Sequence, residues 1–130
     1  MNPKQFLIIG GAVLILVGVL GFAGIIGPTP SASMFGPTWW FDNPENYAHL
    51  ILGIVGVIAA FVFPASLQKP LVLLLGVLGL FFAVYSGLVN TQFLGANLEN
   101  PADTVLHLAV GIWALFAGMQ KSAMVMAPGA

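Results

Sequence analysis

The sequence contains no cysteine and no arginine, and charged residues of either sign are scarce. Three Lys and four Asp or Glu occur among 130 residues, so charged residues make up 5% of the chain, where soluble domains have roughly 25%. The absence of Cys excludes disulfides, thiolate nucleophiles, iron–sulfur clusters and thiolate metal sites. Because Arg is absent and the few Lys are scattered, no basic patch exists for nucleic acid, which we exclude as a partner.

Apolar residues fill the chain instead. Hydrophobic residues make up 59% of the sequence, and the mean hydropathy is +1.03. A protein of 13.6 kDa has too little interior to bury so much apolar surface in water. We therefore predict an integral membrane protein of the all-α class, with a single domain over residues 1–130. Its four transmembrane helices correspond to four uncharged runs: Phe6–Ile26, Ala48–Phe63, Leu71–Val89 and Thr104–Met119.

The few charges separate by side of the membrane. The three lysines fall on the side of both termini and the second connection, and the four acids fall on the other side: Lys4, Lys69 and Lys121 against Asp42, Glu45, Glu99 and Asp103. The positive-inside rule then predicts that both termini are cytoplasmic and that the acidic connections lie outside a bacterial inner membrane.

The outer first connection also carries an aromatic cluster, Trp39, Trp40 and Phe41. Aromatic rings of this kind are enriched at the level of the lipid headgroups. We interpret the cluster as an interfacial anchor, with a docking patch for another protein as the alternative.

A repeat with an offset of 58 residues divides the chain. It aligns Gly18-Val-Leu-Gly21 with Gly76-Val-Leu-Gly79, and His49-Leu-x-x-Gly53-Ile with His107-Leu-x-x-Gly111-Ile. Chance matches are common in apolar sequence, but the two histidines are the only ones in the protein and they fall in register. We therefore predict an internal duplication, with repeat 1 over about 5–65 and repeat 2 over about 66–123. Each copy is a helical hairpin that crosses twice, so the copies have the same orientation.

The second repeat contains the stretch Asn100-Pro-Ala-Asp103-Thr-Val-Leu-His107-Leu-Ala-Val-Gly111, echoed by Asn46-Tyr-Ala-His49-Leu-Ile-Leu-Gly53. This motif resembles that of a family of uncharacterised small bacterial four-helix membrane proteins, a domain of unknown function. The resemblance implies the same four-span fold over nearly the whole chain, and it implies no activity. The first copy has Glu45 where the second has Asp103.

Each histidine has a carboxylate four residues earlier, and residues four apart share one face of a helix. In a structural interpretation, Glu45 and Asp103 orient His49 and His107 and cap their helices, while Gly53 and Gly111 permit close helix packing. In a second interpretation, the two histidines hold a haem or a chlorophyll-type pigment, and the glycines leave room for the flat ring. In a third, both histidines and both carboxylates bind a divalent metal.

Other function classes lack the residues they need. The four runs contain no ionisable residue at mid-membrane, which disfavours a transport path, and no nucleophile is placed beside a base, so we do not predict an enzyme. Our first hypothesis is a non-catalytic accessory subunit of a larger membrane complex, bioenergetic or photosynthetic, in contact with other subunits, lipids and pigments. A cofactor-binding membrane protein is the second hypothesis, and a free-standing homo-oligomer is the third.

Overall fold

The computed structural model describes residues 1–120, and these form four α-helices. The helices are α1 (Pro3–Phe22), α2 (Asn43–Val62), α3 (Ala65–Leu88) and α4 (Ala102–Gly118). A 3₁₀ turn (Gly36–Thr38) lies in the first connection, and two short strands, β1 (Gln92–Phe93) and β2 (Ala96–Asn97), lie in the third. Lys121 and the end of the second predicted repeat lie outside the described residues.

Polar caps set where the first two helices begin. Asn2 precedes α1 and forms a capping box with Gln5, and Asp42 precedes α2 and forms one with Glu45. In each box the two side chains accept hydrogen bonds from backbone N–H groups that have no partner inside the helix. Asp42 is therefore the N-cap of α2, and the helix begins five residues before its uncharged run.

Three of the helices, α1, α2 and α3, are long and apolar enough to cross a membrane. Helix α4 is apolar but has only 17 residues, about 25 Å of helix against a hydrocarbon layer of about 30 Å. Large apolar side chains are exposed along all four helices, among them Leu16, Phe61, Val84 and Phe116. The structure thus confirms an all-helical protein with helices suited to a membrane, while a crossing by α4 and the orientation stay predictions.

Helices α1 and α2 pack closely as one hairpin, and α3 and α4 as another. At the first contact, a Cβ atom placed on Gly53 would lie 2.6 Å from the carbonyl oxygen of Gly11. At the second, a Cβ atom on Gly79 would lie 2.9 Å from the Cα atom of Gly111. Small residues of this kind let helix backbones approach where lipid supplies no hydrophobic drive between helices.

The two hairpins differ in how their helices are registered. Gly18 packs against Leu50, whereas Gly76, its counterpart in the predicted repeat, packs against Leu115. Under the 58-residue offset, Leu115 is the counterpart of Val57, which lies seven residues after Leu50. The contact of the second hairpin is therefore displaced by seven residues, about two helical turns, relative to that of the first. Both sequence blocks are repeated after 58 residues, but the helix contacts of the first hairpin are not repeated at that offset in the second.

The hairpins meet each other mainly through α1, which contacts both α3 and α4. At the end of the bundle where α1 begins, Phe6 and Leu7 belong to one buried apolar cluster with Val72, Ala114 and Ala117. The same end carries the positive charge, since Lys4 lies over the ring of Phe61. We call this the lysine end and the opposite one the acidic end.

The acidic end contains an element that the sequence did not predict, the antiparallel pair of β1 and β2. Leu94 and Gly95 connect the strands with φ values of 49° and 85°, and two successive positive values are typical of a tight hairpin turn. Strand β2 also contacts α2, so this loop joins the two hairpins at the acidic end.

Candidate functional site

Three carboxylates from different parts of the chain meet at the acidic end. Glu45 lies in the first turn of α2, Asp103 in the first turn of α4, and Glu99 in the segment between β2 and α4. One oxygen of each lies within 4.8 Å of the others, and all three side chains are buried. The structure therefore brings together the predicted residues Glu45 and Asp103, and it adds Glu99.

Two hydrogen bonds tie the hairpins together beside this cluster. The indole N–H of Trp39 donates to Oδ1 of Asp103 at 2.9 Å, and the backbone N–H of Asn97 donates to Oδ2 of Asp42 at 2.8 Å. Oδ2 of Asp103 also accepts the backbone N–H of Glu99 at 3.1 Å. Hydrogen bonds to charged acceptors are among the stronger ones in proteins, so they hold the two helix starts in place.

The two histidines do not bond to the carboxylates that precede them. Nδ1 of His49 and Nδ1 of His107 are both buried without a hydrogen-bond partner. Oε1 of Glu45 accepts the N–H of Asp42 instead, at 3.4 Å, and both oxygens of Asp103 have the partners described above. The prediction that each carboxylate orients its own histidine is therefore wrong, because each carboxylate bonds to groups at the start of its own helix or in another connection.

Aromatic rings pack against the histidines in place of the carboxylates. The ring of His49 meets that of Phe41 edge-on at 5.3 Å between centroids, and His107 lies 5.6 Å from the ring of Phe82. Phe41 is fully buried, so it packs inside the protein and does not reach a headgroup layer. For Trp39, whose indole bonds to Asp103, and for Trp40 the interfacial role stays a prediction.

Both histidines line a cavity of about 400 Å³ between the hairpins. It extends from Glu45 at the acidic end to Leu7 and Trp113 near the buried cluster of the lysine end. Apart from Glu45 and the two imidazoles, its side chains are apolar. They come from all four helices and from the strand hairpin, and include Leu14, Leu52, Leu75, Leu78, Phe82, Leu98 and Val110.

Gly53 and Gly111 do not contribute to this cavity. The space beside Gly53 is filled by Gly11 and Ile15 of α1, and the space beside Gly111 is filled by Leu80 and Gly76 of α3. Of the two roles predicted for these glycines, the structure supports helix packing. The structure does not support the other role, space for a flat ring, because a neighbouring helix fills the space beside each glycine.

The structure also changes the predicted set of metal ligands. Within residues 1–120, the group that lies close enough to share one ion is Glu45, Glu99 and Asp103, without either histidine. The histidines face the cavity, one turn further along α2 and α4. Sequence reasoning missed Glu99, although it is one of only four acids and lies four residues before Asp103.

The carboxyl group of Glu99 makes stability depend on pH. Its burial, and then its contact with Asp103, raise its pKa to about 8 from 4.5. Between these values the folded protein holds a proton on Glu99 that the unfolded chain has released. The contribution of Glu99 to stability therefore falls as pH rises from about 4.5 to about 8 and then levels off. Glu45, Asp42 and Asp103 are the other acids at this end.

We expect the thermal unfolding midpoint in micelles, measured with a chelator present, to fall between pH 5 and pH 9. Glu99→Gln keeps the shape of the side chain and removes its titration, so the fall is expected to be clearly smaller in this variant. An equal fall in both proteins would contradict the assignment to Glu99.

Comparison of the chain with models of protein families, with curated proteins and with solved structures gives no match. The function is therefore argued from the cavity and the groups around it.

Proposed function

We propose that the chain is a non-catalytic membrane protein that binds a neutral, membrane-soluble molecule between its two hairpins. The observation that carries this proposal is the cavity, which is apolar along most of its length and has two half-buried imidazoles at one end. Pockets for small molecules have this composition, a mostly apolar wall with a few polar groups that orient the ligand. A volume of about 400 Å³ also lies within the range of about 300–1,000 Å³ for such pockets.

The polar end of the ligand is placed at His49 and His107. Each has a buried Nδ1 without a partner, and leaving a buried polar atom unpaired costs free energy that a ligand atom would recover. A neutral imidazole carries one donor and one acceptor nitrogen, so it pairs with a carbonyl or a hydroxyl group. Such groups are found on prenylated quinones and on chlorophyll-type pigments.

The charge of the site favours a neutral ligand. Glu45, Glu99 and Asp103 lie at the same end as the histidines, and the protein has no Arg. A haem would have to place its two propionates near these carboxylates or expose them to lipid, and either arrangement is unfavourable. Of the ligands predicted from the sequence, a chlorophyll-type pigment with esterified carboxyl groups therefore fits better than a haem.

Entry from the membrane is part of the proposal. Leu52 on α2 and Val110 on α4 line the cavity and are also 44% and 37% exposed. Because α2 contacts the second hairpin mainly at β2, the surface between these two residues gives a lipid-soluble molecule a direct route to the cavity.

The proposal takes the chain to cross the membrane four times, with both termini on the cytoplasmic side of a bacterial inner membrane. In support, α4 packs along α3 at Gly76, Gly79 and Gly118, over most of its own length. Lys4 at one end and the acids at the other agree with the positive-inside rule. The 58-residue repeat of the two histidine blocks supports the duplication.

The test is to purify the protein from its source membranes and to analyse the organic extract and the absorption spectrum. We expect about one neutral lipophilic molecule per chain, and an occupancy lowered about fivefold or more in Leu52→Trp, because the larger ring fills the mouth of the cavity. Ile51→Trp is the matched control, since Ile51 is exposed beside Leu52 but does not line the cavity. Equal extracts, with phospholipid and detergent only, from all three proteins would overturn the proposal.

A second candidate, the accessory subunit of a larger complex, is favoured by apolar side chains in the connections at the acidic end. Met34, Phe35 and Leu94 are exposed there, outside the helices, and exposed apolar side chains in one region are typical of protein contacts. Native mass spectrometry of the complex from source membranes is expected to give a heteromeric assembly. A mass that corresponds to copies of this chain alone would favour the homo-oligomer instead.

A further inference from the structure

The three carboxylates at the acidic end have no positive partner to balance them among residues 1–120. The protein has three lysines in all, and the two that the structure describes are Lys4, over the ring of Phe61, and Lys69, in the second turn of α3. Both belong to the lysine end. When they are ionised, Glu45, Glu99 and Asp103 therefore repel one another in a region that water screens poorly.

A second observation concerns the oxygens that these residues leave unpaired. Oε2 of Glu45 and Oε2 of Glu99 are buried without a hydrogen-bond partner, and the two side chains are only 4% and 9% exposed. Buried polar atoms in native proteins nearly always have a partner, so two in one cluster indicate that a group binds there.

The remaining contacts fix the geometry of the cluster. Asp103 receives N–H groups from Trp39 and from the backbone of Glu99, and the side-chain amide of Asn97 donates to Oε1 of Glu99 at 2.9 Å. These donors hold the carboxylates in position while each oxygen keeps a further lone pair. Such an arrangement is typical of the supporting hydrogen bonds around metal ligands.

We propose that Glu45, Glu99 and Asp103 bind one divalent cation of the calcium type, which joins the two hairpins at the acidic end of the cavity. The donors are oxygens only, which suits Ca²⁺ and Mg²⁺ better than zinc or copper. Two oxygens bound to one Ca²⁺ lie at most about 5 Å apart, and two on one Mg²⁺ at most about 4 Å. The oxygens of the cluster lie within 4.8 Å of one another, which is inside the limit for Ca²⁺. Three carboxylates from the protein also suit Ca²⁺ better than Mg²⁺, which usually keeps several waters and takes one or two carboxylates.

This cation site adjoins the proposed ligand cavity and shares only Glu45 with it. Glu45 belongs to the first hairpin, and Glu99 and Asp103 belong to the second. The ion therefore adds a link between the hairpins to those made by α1, by β2 and by the bond from Trp39 to Asp103. Neither histidine belongs to the cluster. The cation is thus expected to bind whether or not a lipophilic ligand is present.

The test is a titration of chelator-treated full-length protein in micelles with CaCl₂, followed by calorimetry and by the thermal unfolding midpoint. We expect one Ca²⁺ per chain, weaker binding of Mg²⁺, and a higher midpoint with Ca²⁺ present. Glu45→Gln, Glu99→Gln and Asp103→Asn are each expected to weaken binding about tenfold or more.

Asp42→Asn is the comparison, because Asp42 is the one acid outside the cluster. Its two oxygens accept the N–H groups of Glu45 and Asn97, so this variant removes a nearby charge and one supporting bond but no ligand of the ion. We expect a clearly smaller loss of affinity for Ca²⁺ than in the three ligand variants. Tb³⁺ gives a direct second readout, since Trp39 bonds to Asp103 and should sensitise the emission of a bound ion. The absence of saturable Ca²⁺ binding and of sensitised Tb³⁺ emission in the wild type would overturn the proposal, as would an equal loss of affinity in Asp42→Asn.

Discussion

Gly53→Ala is expected to lower the free energy of unfolding by about 3 kcal/mol. The added Cβ atom would lie 2.6 Å from the carbonyl oxygen of Gly11 and 2.8 Å from the backbone nitrogen of Ile15. Both are backbone atoms, so the clash is relieved only if α1 and α2 move apart. That movement loses the close contact on which the first hairpin depends.

Gly56→Ala is the control for this prediction. Gly56 lies one turn further along α2, and the nearest atom to an added Cβ atom is 3.7 Å away, an ordinary contact. Alanine also has the higher helix propensity, by about 1 kcal/mol, so this variant should be as stable as the wild type or more stable. Unfolding in mixed micelles measures both, and equal stability of the two variants would show that the hairpin does not need the glycine contact.

Asp103→Ala is expected to cost about 3–5 kcal/mol of stability, measured with a chelator present. The substitution removes the acceptor of two N–H groups, that of Trp39 at 2.9 Å and the backbone N–H of Glu99 at 3.1 Å. Hydrogen bonds to a charged group contribute about 1.5–3 kcal/mol each, and a donor left buried without a partner adds to the loss. Lower repulsion of Glu45 offsets part of this cost.

Trp39→Phe serves as the comparison, because it removes one of these two bonds and keeps most of the aromatic contact with Phe41. We expect about half the loss seen in Asp103→Ala. Asp103→Ala already removes the bond to Trp39, so adding Trp39→Phe to it should not remove that bond a second time. A double-mutant cycle measures the coupling energy between the two side chains. A coupling energy near zero would mean that the indole and the carboxylate do not interact.

The sequence predicted the helical class and the approximate positions of the helices because apolar run length determines both. It also placed Glu45, His49, Asp103 and His107 at one end, since residues at matched positions of two hairpins with the same orientation share a depth. That placement agrees with the cluster and cavity, although the duplication behind it stays a prediction. Local patterns sufficed for these features.

Contacts between distant segments of the chain could not be predicted from the sequence. The bond from Trp39 to Asp103 joins residues 64 positions apart, and no local pattern signals it. The space beside Gly53 was misjudged for the same reason, since only the packing of α1 decides which face of α2 is open. The seven-residue change in register between the hairpins likewise depends on how α3 packs on α4, not on the spacing of its glycines.

The connection between the hairpins bears on how the protein is made. Only Phe63 and Pro64 separate α2 from α3, and most helix contacts are formed between neighbours in the chain. We expect the first hairpin to pack as soon as it has entered the membrane, because its contacts are local. Glu45 and His49, however, meet Asp103 and His107 only after residue 107 has been inserted. Loading of any ligand or cation is therefore a late step of biogenesis, and a chain that stops before α4 would be membrane-inserted yet empty.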